Sequence, residues 1–193
     1  IIVILMLAFS FTAMLEYRHS VELEQDSIRE NLVNVQTNIE NMISSRVINA
    51  NVFAGIIEMD RDMDKKTFDI LAEKIYNSQS HVVKDIVFIT DTTISHVYPT
   101  YLGEGSIGID LSTIPEQREL LLYSKEQYKT VFFGPVDLVE GGQGIIIRVP
   151  VVVDNTYYGQ VAIVFDYVNF IDESGLKGLS KNNKVVLKKD VLL

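Results

Sequence analysis

The chain has 193 residues, 26 acidic against 17 basic, a net charge of −9 and no cysteine. That balance argues against a nucleic-acid partner, which needs a basic face to release counterions from the phosphate backbone. The missing thiols exclude disulfides, thiolate metal sites and cysteine nucleophiles together, and the three histidines, His19, His81 and His96, are too dispersed to suggest a metal site.

Residues 1 to 15, IIVILMLAFSFTAML, carry no charge. A bilayer takes about 20 apolar residues to cross, so this run reads as the outer end of a transmembrane helix, with a buried core helix and the apolar stretch of a signal peptide as alternatives. The flank that follows holds Glu16, Glu22, Glu24, Asp26 and Glu30 against Arg18 and Arg29. An acidic flank belongs on the non-cytoplasmic side, which makes residues 16 to 193 extracytoplasmic.

From residue 16 to 54 no Gly or Pro interrupts the chain, and Val21, Ile28, Leu32, Val35, Ile39 and Met42 recur at helical spacing, in alternating steps of four and three beyond Ile28. This is the seam of a coiled coil or of a helix laid on its own core. Residues 16 to 57 are expected to form a stalk helix near 60 Å long, with a break near Gly55. Asp60, Asp62 and Asp64 open like a calcium loop, but Lys65 and Leu71 stand where that loop needs Gly and a bidentate acid. Asp64 instead suits the N-cap of a helix over 65 to 78, whose apolar face is Phe68, Leu71, Ala72 and Ile75.

Strands are expected at 85 to 90 and 93 to 99, joined by a turn at Asp91-Thr92. A helix starts at Pro115, a residue suited to a first helical position, and runs to about Tyr128. Strands follow at 130 to 133, 136 to 139, 145 to 153 and 157 to 166, the last two joined by Asp154-Asn155. All four prolines and eight of the eleven glycines lie between residues 99 and 159, where the chain must change direction repeatedly. Gly141, Gly142 and Gly144 should permit positive φ in a hairpin, and Gly134-Pro135 should set a bend or bulge. The predicted fold class is α+β: a long N-terminal helix followed by a PAS-like antiparallel sheet with flanking helices. Gly103 to Gly108 matches G-x-G-x-x-G, but no helix opens directly after it, as a dinucleotide site requires.

With these elements placed, the ordered run Tyr98-Pro99, Gly108, Asp110, Pro115, GPVDLVEGGQGIIIRVPVV from Gly134 to Val152, and Gly159 resembles the CHASE family of extracytoplasmic sensor domains. The resemblance covers about residues 68 to 176. It implies a sensor domain over 58 to 176 in a membrane receptor with histidine kinase, diguanylate cyclase or phosphodiesterase output. It further implies a small-molecule ligand, a membrane anchored through the N-terminal helix, and a homodimer. Residues 177 to 193 would begin a membrane-proximal segment. Tyr158 replaces an aromatic position that is often Trp in that family. The sequence itself shows no G-x-S-x-G, H-E-x-x-H or phosphate loop, so the expectation is a binding module without enzymatic activity or cofactor. A module that senses a periplasmic partner protein is the alternative.

Arg148 stands in an otherwise apolar run, and a guanidinium there requires a partner. A salt bridge to Asp110 or Asp166 would supply one; a ligand carboxylate or phosphate would supply another. Tyr98, Tyr157 and Tyr158 can line a pocket, and His96 shares an alternation face with Tyr98. Arg148, Tyr98, His96, Asp110, Tyr158 and Asp166 are therefore the candidate ligand-binding residues.

Overall fold

The computed structural model describes residues 2–78 and 81–180. Helix α1 spans Ile2–Met59 and α2 spans Lys65–Ser78. Strands β1, Val83–Thr90, and β2, Thr93–Tyr98, precede a short helix α3, Thr100–Gly103, and two 3-10 turns at Glu104–Ser106 and Leu111–Thr113. Helix α4, Pro115–Gln127, leads into β3, Val131–Asp137, β4, Gln143–Val153, and β5, Thr156–Asp166; α5, Tyr167–Ser174, and α6, Leu176–Ser180, follow. The α+β fold expected from the sequence is the one observed. From residue 181 onward, the anticipated membrane-proximal segment lies outside the described residues.

Helix α1 has two regimes. Between residues 11 and 41 no described side chain is buried, and Leu23, Leu32 and Val33 are at least half exposed. From Met42 the steps to Arg46, Ala50, Phe53, Ala54 and Ile57 place one stripe against the sheet, all of it buried. The break expected at Gly55 does not occur. Glycine costs a helix about 1 kcal/mol relative to alanine, and burial of Phe53 alone contributes about 1.5–3 kcal/mol, so packing on either side holds the turn in register. Among the described residues no helix is long and apolar enough to cross a membrane.

Helix α2 is capped as expected. The Thr67 amide donates to Asp64 Oδ1 at 2.7 Å, a bond that holds the Asp64 carboxyl below the usual carboxylate range.

The five strands form one antiparallel sheet in the order β2-β1-β5-β4-β3. The segments expected as separate strands at 130 to 133 and 136 to 139 are one strand, β3. Its pairing with β4 slips between Phe133 and Val136, a bulge at Gly134-Pro135 that keeps both halves on the same partner. Gly134 has φ +146°, and a Cβ there would sit 2.8 Å from the Gly144 carbonyl oxygen. Gly141 and Gly142 take positive φ in the following turn, while Gly144 does not. Gly144 is small for a different reason: Leu138 Cδ1 lies 2.7 Å from where its Cβ would be. Asp154 and Asn155 both have positive φ, which matches the twist of a two-residue hairpin.

Both sheet faces are buried. Ile86, Ile147, Val149, Ile163 and Phe165 pack with Phe53 of α1, Phe68 of α2 and Phe170 of α5. On the other face Ile89, Ile146, Ala162 and Val164 pack with Leu111 and with Leu121 of α4. This explains why β4 is almost continuously apolar: alternate residues enter two different cores.

Candidate functional site

The second face carries the polar anomalies. Strand alternation sends Asp85 of β1 and Arg148 of β4 toward α4, on either side of β5, where Asp85 pairs with Val164 and Arg148 with Ala162. Together with Gln117 of α4 and Glu140 of the β3–β4 turn they line a cavity of about 30 Å³ between sheet, helix and turn. That volume admits about one water.

Arg148 is 1% exposed. Its Nη2 donates to Gln117 Oε1 at 2.5 Å and its Nη1 to the Gln117 carbonyl at 3.3 Å. The guanidinium carbon lies 4.9 Å from the Phe133 ring centroid, a cation–π contact. Nε has no partner. The expected salt bridge is absent: Asp110 Oδ1 accepts from the Ser112 amide and Asp166 Oδ1 from the Asn169 amide, each at 2.9 Å. Both aspartates cap helical turns at the ends of the sheet. Arg148 is thus a buried cation whose hydrogen-bond acceptors are neutral. Burial lowers its pKa to about 9, which leaves it charged at neutral pH.

Asp85 is 2% exposed and its Oδ1 has no hydrogen-bond partner. Burial raises its pKa well above the usual range, the neighbouring Glu140 carboxyl raises it further, and Lys84 opposes both. Lys84 Nζ stands 3.7 Å from Glu140 Oε1 and donates to the Gly141 carbonyl at 2.5 Å, tying β1 to the turn.

Of the six residues singled out by sequence, this cavity receives Arg148 alone. His96 and Tyr158 line a separate space of about 70 Å³ on the α1–α2 face, beside Arg61, Phe68 and Phe88. There the Tyr158 hydroxyl donates to the Arg61 carbonyl at 2.6 Å. The His96 ring lies 5.1 Å from that of Phe68; burial, aided by Lys65, lowers its pKa. Tyr98 meets Tyr76 edge-on at 5.6 Å and opens onto a surface hollow with Lys65 and Glu73.

Asp85, Gln117 and Glu140 were not anticipated. Asp85 obeys the rule that singled out Arg148, a charge inside a β run, but starting the strand at residue 85 made it look like a terminus. Gln117 carries no such signal, since a glutamine in the first turn of a helix normally faces water.

No protein-family model matches the sequence, and no curated protein matches it. Solved structures do. An extracellular ligand-binding receptor from Desulfohalobium retbaense aligns with a TM-score of 0.61 at 17% identity, over 74% of this chain and 26% of that one. The ligand-binding domain of the Pseudomonas aeruginosa amino acid chemoreceptor PctB, in complex with L-Gln, gives 0.58 at 17%, over 77% and 58%. The sensor domain of the Vibrio cholerae histidine kinase DctB gives 0.51 at 12%, over 78% and 60%. The chain spans about a quarter of the first structure and about three fifths of the other two. Its fold is that of the extracellular ligand-binding sensor domains of chemoreceptors and histidine kinases.

Proposed function

We propose that the chain is the extracytoplasmic ligand-sensing domain of a membrane-anchored receptor of the CHASE type, with a histidine kinase or a diguanylate cyclase or phosphodiesterase as its output. The domain itself binds and does not catalyse. The observation that carries this reading is the pair of buried polar groups, the Arg148 guanidinium and the Asp85 carboxyl, each with an atom left without a hydrogen-bond partner, on one sheet face under α4 and the β3–β4 turn. Buried polar atoms without hydrogen-bond partners are costly, and a ligand that satisfies them recovers that cost.

A cavity of about 30 Å³ is far smaller than the 300–1,000 Å³ of ordinary ligand pockets, so a ligand must push cover and sheet apart. That displacement is the signal. It shifts the balance between two packings, to the extent that the ligand prefers one of them, and reaches α1 through the sheet. The half-exposed Leu23, Leu32 and Val33 provide apolar surface for a second copy, making a homodimer of the stalk. The amino acids named for the solved chemoreceptor domains put small zwitterions first in a ligand screen.

A thermal-shift screen of amino acids, amines and small acids tests the reading, with Arg148→Met as control. A stabilising ligand whose effect is lost or weakened in that variant supports it. The small cavity also favours a second reading, a module recognising a partner protein, and a screen without hits would transfer support to it.

A further inference from the structure

The cavity has an acidic end whose hydrogen-bonding capacity is unfilled. Asp85 is 2% exposed with Oδ1 unpartnered, and Glu140 brings a second carboxyl to the same cavity from the β3–β4 turn. The two carboxyls hydrogen-bond to each other, which takes one proton and leaves several lone pairs free, those of Asp85 Oδ1 among them. Among the described residues the cation beside them is Lys84, whose Nζ lies 3.7 Å from Glu140 Oε1 and hydrogen-bonds the Gly141 carbonyl. It leaves Asp85 Oδ1 unsatisfied. Gly141 and Gly142, both at positive φ, with no other atom within 3.4 Å of a Cβ built on either, give this turn room to shift.

Building on the sensing reading above, we propose that the Asp85–Glu140 end of the cavity receives a protonated primary amine on the ligand, and that Lys84 is the built-in competitor this amine displaces from Glu140. An ammonium group has three donors and no acceptor; Asp85 Oδ1 and Glu140 supply acceptors that nothing else in the cavity uses fully. A carboxylate in the same place would meet like charge. Once the ligand amine replaces Lys84 on Glu140, the Lys84–Gly141 tie loosens and the turn is free to move with the ligand, linking occupancy to a change at the sheet edge.

The test uses the intact chain in thermal-shift and calorimetric titrations with three matched panels: short primary alkylamines and diamines, carboxylic acids of equal length, and alcohols of equal length. Amines are expected to stabilise and the other two panels to have little effect. Asp85→Asn should weaken amine binding by about tenfold or more, as expected for loss of a charged hydrogen bond. Lys84→Met, at a partly exposed position that leaves the core intact, should tighten it by about fivefold, the scale of a partly exposed ion pair. Stabilisation by acids or alcohols alone would overturn the proposal while leaving the sensing reading in place. Amine binding unchanged in both variants would do the same. Absence of any shift in all panels would remove both.

Discussion

Arg46 of α1 donates to Glu173 of α5 at 2.6 Å, and its guanidinium lies 5.3 Å and 5.9 Å from the ring centroids of Phe165 and Phe170. Phe165 belongs to β5, whose opposite face, at Ala162 and Val164, floors the cavity. The long helix is therefore fastened to the strand that underlies the site, one turn from Met42, the first buried residue among its described side chains.

Removing one member of that pair leaves the other uncompensated, most severely for Arg46, which is 3% exposed. Glu173→Ala is expected to cost about 1–3 kcal/mol in urea unfolding. The double variant with Arg46→Met should cost clearly less than the sum of the single changes, since contacting residues couple. Additive losses would show that the pair is not an energetic unit.

Arg148 is buried at its own expense. Its acceptors are neutral, so replacement by an apolar side chain of similar length removes a desolvation cost along with two hydrogen bonds. Arg148→Met should melt within a few degrees of the wild type or above it, as buried ion groups replaced by well-packed apolar ones often do, while losing ligand response. A melting point lower by 10 °C or more would identify Arg148 as a structural residue.

Asp85 gives stability a sign that runs against the common behaviour of carboxylates. Its folded pKa lies above the unfolded value near 3.9, so the folded state holds the proton more tightly. Its contribution is fully present below that unfolded value and is lost as pH rises through the folded pKa. Asp85→Asn, which cannot ionise, should gain stability relative to wild type as pH increases from about 4, with the two converging at low pH. Melting curves across pH 4 to 8 check this, and a difference that shrinks toward neutrality would refute it.

Two glycines should respond in opposite directions. Gly159 has the Ile89 carbonyl oxygen 2.5 Å from where a Cβ would be and the Phe88 ring at 2.9 Å, whereas a Cβ on Gly55 would meet nothing within 4 Å. Gly159→Ala is expected to lose about 1–3 kcal/mol by overpacking. Gly55→Ala should gain about 0.5–1 kcal/mol from helix propensity. Denaturant midpoints for both distinguish these outcomes.

Much of the architecture was readable because local chemistry and tertiary context agree. Pro115 stands at the start of α4, Asp64 caps α2, and Asp154-Asn155 turns β4 into β5. Gly55 misled because propensity there is outweighed by packing of Phe53, Ala54 and Ile57. The bulge at Gly134-Pro135 was legible, but the strand that runs on through it read as two, because a Gly-Pro pair also marks strand ends.

The site was less legible. Alternation correctly pairs His96 with Tyr98, yet with both sheet faces buried the pattern cannot tell which core each residue enters. They lie opposite Arg148. The acids offered as salt-bridge partners for Arg148, Asp110 and Asp166, are consumed as caps. Its acceptor, Gln117, comes from an element whose docking onto β4 leaves no mark in either segment.

The strand order has a consequence for how the protein comes into being. β3, β4 and β5 can zip together from neighbouring hairpins, but β1 must wait for β5 before it gains an inner partner, because Val83 pairs with Phe165 across nearly the whole body. Closing such distant contacts is slow. A chain emerging from its N-terminus therefore exposes β1, the strand bearing Asp85, until the last strand is made, so that floor and acidic wall of the cavity are completed in a single late event.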